Sequence, residues 1–544
     1  MGRFLRTVVL FALIVGVGFA AFLLYDRTFS TGSAGAGCEP VAAVSGDVSG
    51  DAVAVSVARS AAVFPCASAA VVADADDPIA LAFGARLAAQ EALPLLASGP
   101  EVPAAIRAEL DRLGADDLLV VGSSDLAGAL AGDVAESWNL RLADEVADLE
   151  ARILAGVSDP DRPPIGIPAD PAAAFAAVRT AIAEDRPVVL GPGTAGAQKP
   201  PLQPEAPMWV ATTDRADVAM ASLAAADATG ALVALVDGDD PRRSLDVREA
   251  ATDAGIVSLI GDFGDDQGWQ TRTLLTAAEL PGGGVLVFEP GRRYVAAYGN
   301  PNTPRLGVLG EQGPEGWAET AERLAEMVQG YDADGLPVVP TFEIIATVAA
   351  GDPGPDGDYS AEMRIETLQG WVDYARENDI YVVLDLQPGR TDFLSQARRY
   401  ESLLLEPHVG LALDPEWRLA PDEVHLEQVG SVGIAEVNAT ANWLADLVRE
   451  NGLPQKLFIV HQFLFSMIEG REDIVIPPEL AGLIQMDGQG PLESKYDTWA
   501  ALTEGTEGAP YRWGWKNFYD EDSPTATPEQ VLAVEPTVWF VSYQ

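Results

Sequence analysis

From about residue 290 to its end the chain repeats one pattern: a short apolar run that stops at a polar or acidic residue, followed by a stretch with helical spacing. The runs are Tyr294 to Gly299, Val338 to Ala346, Tyr381 to Asp385, Val409 to Asp414, Gly430 to Gly433, Leu457 to His461, Gly482 to Asp487 and Val538 to Tyr543. Helical stretches intervene at 316 to 329, 361 to 378, 392 to 405, 434 to 451 and 526 to 533. Continuous apolar runs suit parallel strands, because crossover helices bury them on both faces. About eight such units in roughly 250 residues is the size of a (β/α)8 barrel. The last run lies at the C-terminus, where it can close against the first. A doubly wound open sheet is the structural alternative.

Upstream the same grammar is shorter. Ala69 to Val72 and Leu93 to Ala97 read as strands, as does Leu118 to Gly122; Ala80 to Ala92 and Val102 to Leu113 read as helices. This βαβαβ order implies a parallel sheet. A helix is expected over 136 to 156. A second unit has a strand from Ala231 to Val236, a helix over 245 to 254 and a strand from Ile256 to Ile260. The first strand of each unit leads into Asp-Asp-Pro: Asp76-Asp77-Pro78 and Asp239-Asp240-Pro241. That shared punctuation suggests a diverged repeat; two unrelated βαβ units are the alternative. The Pro-rich stretches 159 to 171 and 192 to 207 read as connectors. The expected class is therefore α/β, with N-terminal parallel-sheet units followed by a TIM-like barrel. The expected segments are 1–27 (a transmembrane anchor or signal), 28–50 (a flexible linker), 51–156 and 157–289 (the two α/β units) and 290–544 (the barrel).

Arg3 and Arg6 precede an uncharged apolar run, Val8 to Leu24. As a helix it reaches roughly 26 Å at 1.5 Å per residue, near the lower limit for spanning a bilayer. Positive charge ahead of it places the N-terminus in the cytoplasm and the bulk of the chain outside, with the membrane as a partner through this helix. A cleaved signal peptide, with the small residues Ser33 to Ala36 beyond it, is the rival reading and would send the protein to the wall. The chain has two cysteines, Cys38 and Cys66. Outside the cytoplasm such a pair can oxidise and persist; two separate buried thiols are the alternative. Acidic residues number 82 against 34 Lys plus Arg, for a formal charge of -48. With no Lys/Arg cluster, that excludes nucleic acid or an anionic lipid surface as the main partner.

Two resemblances extend this reading. Ala58-Arg59-Ser60 before Phe64, Ala70 to Asp74, Ala80-Leu81-Ala82, Leu87-Ala88-Ala89 before Leu93 to Leu96, and Leu118 to Gly122 together resemble the second type of cell-wall-binding repeat, found in secreted proteins of Gram-positive bacteria. The region from 290 on resembles the C-terminal barrel of uncharacterised secreted actinobacterial proteins that carry such repeats. The matching segments are Tyr294 to Gly299, Leu384 to Gly389, Leu413 to Trp417, His461-Gln462-Phe463, Met486 to Gly490, Phe518-Tyr519-Asp520 and Ser542-Tyr543-Gln544. The resemblance implies a cell-envelope protein with a glycosidase-like barrel and a wall polysaccharide as partner.

Barrel enzymes carry their chemistry at the C-terminal ends of strands. That rule selects Glu343, Asp385, Asp414, Glu416 and Asp487 as candidate catalytic carboxylates. Gln387, Trp417, His461, Gln462, Gln489, Lys516, Tyr519 and Tyr543 are candidate substrate-binding residues, with Lys516 and Tyr519 placed in the loop before the last strand. Acids for proton transfer, amides for hydroxyls and rings for sugar faces are what a carbohydrate site needs. Each has a bland alternative: a loop cap, a buried structural pair, a core histidine. Glu436 is expected to face solvent or a neighbour. No nucleophile elbow, Walker loop, dinucleotide fingerprint or H-E-x-x-H occurs, so no cofactor is expected. The three histidines, His408, His425 and His461, are too few for a histidine-rich metal site. The acidic loop Gly351 to Asp358 reads as a flexible loop, with calcium binding as the alternative. The expected function is binding, and possible hydrolysis, of an envelope polysaccharide; the alternative is a non-catalytic glycan-binding surface protein.

Overall fold

Strand pairing accounts for how the chain is organised. A computed structural model describes residues 38, 40–41, 46–134, 138–143, 150, 152–154, 156–157, 163–190, 207–261, 263–264, 266–424 and 426–544. The run Val8 to Leu24 and His425 lie outside the described residues, as does most of 28–50. Among the described residues no helix is long and apolar enough to cross a membrane. Two compact units form, one from residues up to 235 with 253–262, the other from 236–252 with 263–544.

In the first unit, β1 (Ala69–Asp74), β2 (Leu95–Ser98), β3 (Asp117–Val121) and β4 (Asn139–Ala143) form a parallel sheet in the order β2-β1-β3-β4. The expected helix over 136 to 156 is thus corrected: its early part is β4, which takes up the hydrogen bonds that β3 would otherwise leave open at the sheet edge. The connector at 159 to 171 holds β5 (Ile165–Ile167), which pairs with β6 (Val188–Leu190). A third sheet orders β7 (Met208–Thr212), β8 (Leu232–Val236) and β9 (Val257–Ile260) as β8-β7-β9.

Helix Pro78–Gln90 starts where Asp77 accepts from the backbone N–H of Ile79 and Ala80. Asp240 does the same for Arg242, so both Asp-Asp-Pro stretches open a helical turn. Residues Ala80 to Ala89 are all buried, as are Ala216 and Val218 to Ala226 in helix Ala216–Thr229. Small side chains let these helices pack closely on every side. At Gly84 a Cβ would stand 2.7 Å from that of Ala73 on β1, which only glycine avoids. Cys38 and Cys66 form a disulfide with Cα atoms 4.9 Å apart, tying residue 38 to the turn after helix Ala52–Val63.

The second unit is a closed barrel. Its parallel strands are β10 (Arg293–Gly299), β11 (Val338–Ala349), β13 (Tyr381–Leu386), β14 (Val409–Leu413), β16 (Lys456–Gln462), β18 (Leu480–Met486), β19 (Tyr511–Asn517) and β20 (Val538–Tyr543), and β20 pairs with β10 to close it. Three short strands, β12 (Ser360–Glu362), β15 (Val432–Gly433) and β17 (Ile468–Glu469), decorate the loops. The expected barrel strand at Gly430 to Gly433 is therefore corrected. Only Val432 and Gly433 are extended there, and they pair with β17 outside the barrel. Its place is taken by β19, so Lys516 belongs to a strand and not to a loop. The sequence Tyr-Arg-Trp-Gly-Trp-Lys-Asn does not read as a buried run. Yet Trp513 and Trp515 face outward onto Trp499 of helix Leu492–Thr503. Gly514 lets β19 pass close to its neighbours, since a Cβ there would lie 2.9 Å from Leu483 Cδ2.

Side chains alternate along each strand. The even-numbered residues of β10 and the odd-numbered ones of β11, β13 and β16 line the interior. Tyr294, Ala296, Val339, Tyr381, Val383, Leu457, Ile459, Leu483 and Phe540 fill its lower part as one apolar cluster. One step further along the same strands come Tyr298, Glu343, Asp385 and His461. The interior thus changes from apolar to polar within a single layer.

Candidate active site

Each strand delivers its polar residue by register. Val339-Thr341-Glu343, Tyr381-Val383-Asp385 and Leu457-Ile459-His461 point inward at every second residue, and the last of each meets the mouth. Asp414 follows β14 and Asp487 follows β18 directly. His461 stands at the centre. Its Nε2 lies 3.1 Å from Glu343 Oε1, while its Nδ1 lies 3.2 Å from Asp487 Oδ2 and 3.9 Å from Asp414 Oδ2. The Tyr298 hydroxyl donates to Asp385 Oδ2 at 2.8 Å. Lys516 Nζ sits 3.5 Å from the centre of the Tyr298 ring, a cation–π contact. Lys495 donates to the Lys516 carbonyl and pairs with Asp522, which fixes this end of β19. Gln485 on β18 donates to Ser542 on β20, reaching across the intervening β19.

Glu343, Asp385, Asp414, His461 and Asp487 are all buried. Burial, with the neighbouring Glu343 charge and despite His461, raises Asp385 to about 6. Burial and the Glu416 charge hold Asp414 well above the usual carboxylate range. Burial and Asp487 raise Glu416 to about 7. Burial opposes charge on His461, but Asp385, Asp487, Glu343 and Asp414 outweigh it and hold the imidazole well above its ordinary value. Burial and the charges of Asp385, Asp414 and Glu343 push the Tyr298 hydroxyl far up. The layer holds an excess of acids at low dielectric and therefore stores protons near neutral pH. Such a set can donate and accept protons across a bound substrate.

The structure brings together Glu343, Asp385, Asp414, His461, Asp487 and Lys516, with half-buried Glu416 and Trp417 on the turn after Asp414. Tyr519 is 43% exposed and stacks on Tyr543, making an aromatic edge. Other expected residues have structural partners. Gln387 accepts from the Ala349 N–H, Gln462 is held by Arg471 and the Leu464 carbonyl, and the Tyr543 hydroxyl bonds that of Tyr331. Gln489 is exposed. Glu436 pairs with Arg418, and His408 bonds the Val372 carbonyl in the core. Tyr298, Gln485 and Ser542 were not anticipated. Counting inward-facing positions in steps of two from His461 and Asp487, instead of taking strand exits alone, finds Gln485 and its like.

Among the described residues two groups of side chains could hold a cation: Asp385, Asp414 and His461, and the more exposed Asp356, Asp358 and Glu362 in the acidic loop. Within each, one donor atom per residue lies within 4.8 Å of the others.

Fold and mouth together define a closed (β/α)8 barrel with a buried, carboxylate-rich polar layer at its C-terminal end, preceded by a parallel-sheet α/β unit. No family model and no curated protein matches this chain. Among solved structures it is similar to Cwp6 from Clostridium difficile at 14% identity and a TM-score of 0.36, over 64% of this chain and 63% of that one. It is similar to Cwp8 from Clostridium difficile at 14% identity and a TM-score of 0.35, over 43% of this chain and 52% of that one. The match thus spans less than two thirds of either protein.

Proposed function

We propose that the barrel binds an envelope polysaccharide outside the cytoplasm and hydrolyses it at the C-terminal mouth. The observation that carries this reading is the convergence of Asp385, Asp414 and Asp487 around His461 from four different strand ends. Glycoside hydrolysis needs one carboxyl to protonate the leaving oxygen and another to act from the opposite side. We assign those roles to Glu416 and Asp487, with Asp385 and Lys516 acting on the Glu416 charge and Trp417 and Tyr519 offering ring faces to sugar. The disulfide between Cys38 and Cys66 and the resemblance of the N-terminal unit to wall-binding repeats support the extracellular, wall-associated location.

The near-complete burial of Glu343, Asp385 and Asp414 favours a second reading, a sugar-binding barrel without turnover. Incubating purified protein with envelope polysaccharide and assaying released reducing ends separates the two. Hydrolysis supports the first reading. Saturable binding without release supports the second, and neither response from any envelope glycan refutes both.

A further inference from the structure

The deepest part of the polar layer holds more negative charge than its partners cover. Among the described residues, Glu343 Oε2, Asp385 Oδ1, Asp414 Oδ1 and Asp487 Oδ1 are buried and accept no hydrogen bond. His461 Nδ1 makes none either, although two carboxylates stand beside it. Lys516 directs its ammonium at the face of Tyr298. Buried polar atoms are almost always satisfied, so a cluster of orphans at one spot marks a missing positive partner.

We infer that Asp385, Asp414 and His461 form a binding site for one divalent transition-metal ion. Their donor atoms lie within 4.8 Å of one another, close enough to surround an ion with bonds of about 2.0–2.2 Å after small side-chain rotations. His461 is already oriented for this. Its Nε2 faces Glu343 Oε1 at 3.1 Å, so a proton on Nε2 is held by that carboxylate, and the ion would take the place of the second proton, on Nδ1, that the surrounding acids hold there in its absence. A carboxylate holding the far nitrogen of a ligating histidine is the usual outer shell of such sites. One imidazole nitrogen with two carboxylate oxygens suits zinc or manganese better than calcium or magnesium, which prefer oxygen alone. The unpartnered Asp487 Oδ1 supplies a further acid at the edge of the same cluster. The ion would relieve the crowding of buried carboxylates. The inference deepens the proposed glycan site and rests on that reading of the mouth, but it is read out by metal stoichiometry and not by turnover.

The test uses the full chain, stripped with a chelator and titrated calorimetrically with zinc and, separately, with manganese, with thermal melts alongside. The expected result is one tight equivalent of one or both ions and a raised melting temperature. Asp414→Asn and His461→Gln should each weaken that equivalent by more than about 100-fold, since losing even an outer-shell partner costs about 10–100-fold. The paired Asp356→Asn, Asp358→Asn variant, in the acidic loop, should keep it. Absence of a tight equivalent for both ions in the folded wild type overturns the inference whatever the variants do. So does a tight equivalent that survives in Asp414→Asn or disappears with the loop variant. Should Asp414→Asn fail to fold, Asp385→Asn takes its place in the same comparison. A tight ion in a protein inert to every envelope glycan would keep this inference and defeat the proposed function. Hydrolysis by a protein that binds no metal would do the reverse.

Discussion

The two halves of the barrel interior are built from the same strands with opposite chemistry. The lower half, from Tyr294 to Phe540, is an apolar cluster in which Tyr294 and Tyr381 pack edge to face at 5.3 Å and the Tyr381 hydroxyl donates nothing to solvent, accepting instead from the Leu457 N–H. One interior layer higher, Glu343, Asp385, Asp414 and His461 replace those side chains, and several of their polar atoms have no partner. Burying unpaired acids costs stability. The lower layer therefore holds the barrel together, and under the proposed function the upper layer is retained for what it does to a ligand. Proteins concentrate such locally unfavourable choices at functional sites.

The largest effect should come from the upper layer acting alone on turnover. Asp487→Asn removes a buried acid of that layer and should lower glycan hydrolysis by about 10²–10⁴-fold, with an unchanged melting temperature; a rate assay paired with thermal melts checks both halves of the statement. Equal rates for variant and wild type would break the contrast at its functional end.

The lower layer should show the converse. Phe540 is fully buried in the apolar cluster, and Phe540→Ala should cost about 3–5 kcal/mol of stability. Denaturant unfolding measures that loss, and the protein that remains folded should keep its affinity for glycan.

Lys456 sharpens the comparison because it is a buried charge at the lower end. Its ammonium donates to the Glu406 and Val409 carbonyls, and burial lowers it to about 7. Its ordinary value is 10.5. Between those values the unfolded chain holds the proton more often than the folded one, so this residue makes stability rise with pH across that window. In Lys456→Met that rise should vanish. Unfolding curves at several pH values between about 7 and 10.5 test it, and an unchanged slope would contradict the assignment.

The smallest effect belongs to the rim. Tyr519 is exposed and stacks on Tyr543. Tyr519→Ala should weaken glycan binding by a few-fold, in line with about 0.5–1.5 kcal/mol for an aromatic contact. A titration with the same polysaccharide measures it.

What the sequence revealed follows the same division. Strands with unbroken apolar runs, such as Tyr381 to Leu384, were legible because both of their faces are buried. Strand β19 was not, because Arg512 spends its charge on Glu289 and the Trp539 ring while Gly514 and Lys516 face inward. Gly430 to Gly433 imitated a strand only because small residues break a charged loop. The acids at strand ends could be read from position alone. Tyr298 and Ser542 could not, since nothing in a single strand says which of its two faces turns inward until its neighbours are known.

The central claim is that the upper layer serves function at the expense of stability. Thermal unfolding of Asp385→Asn and wild type, both stripped of metal with a chelator, together with their glycan turnover, tests it most directly. Asparagine keeps the shape and can still meet the Tyr298 hydroxyl, while it removes a buried charge. The account predicts a melting temperature equal to or above that of the wild type together with a large loss of turnover. A clear fall in melting temperature with turnover preserved in the folded fraction would show that Asp385 holds the barrel together, and would contradict it.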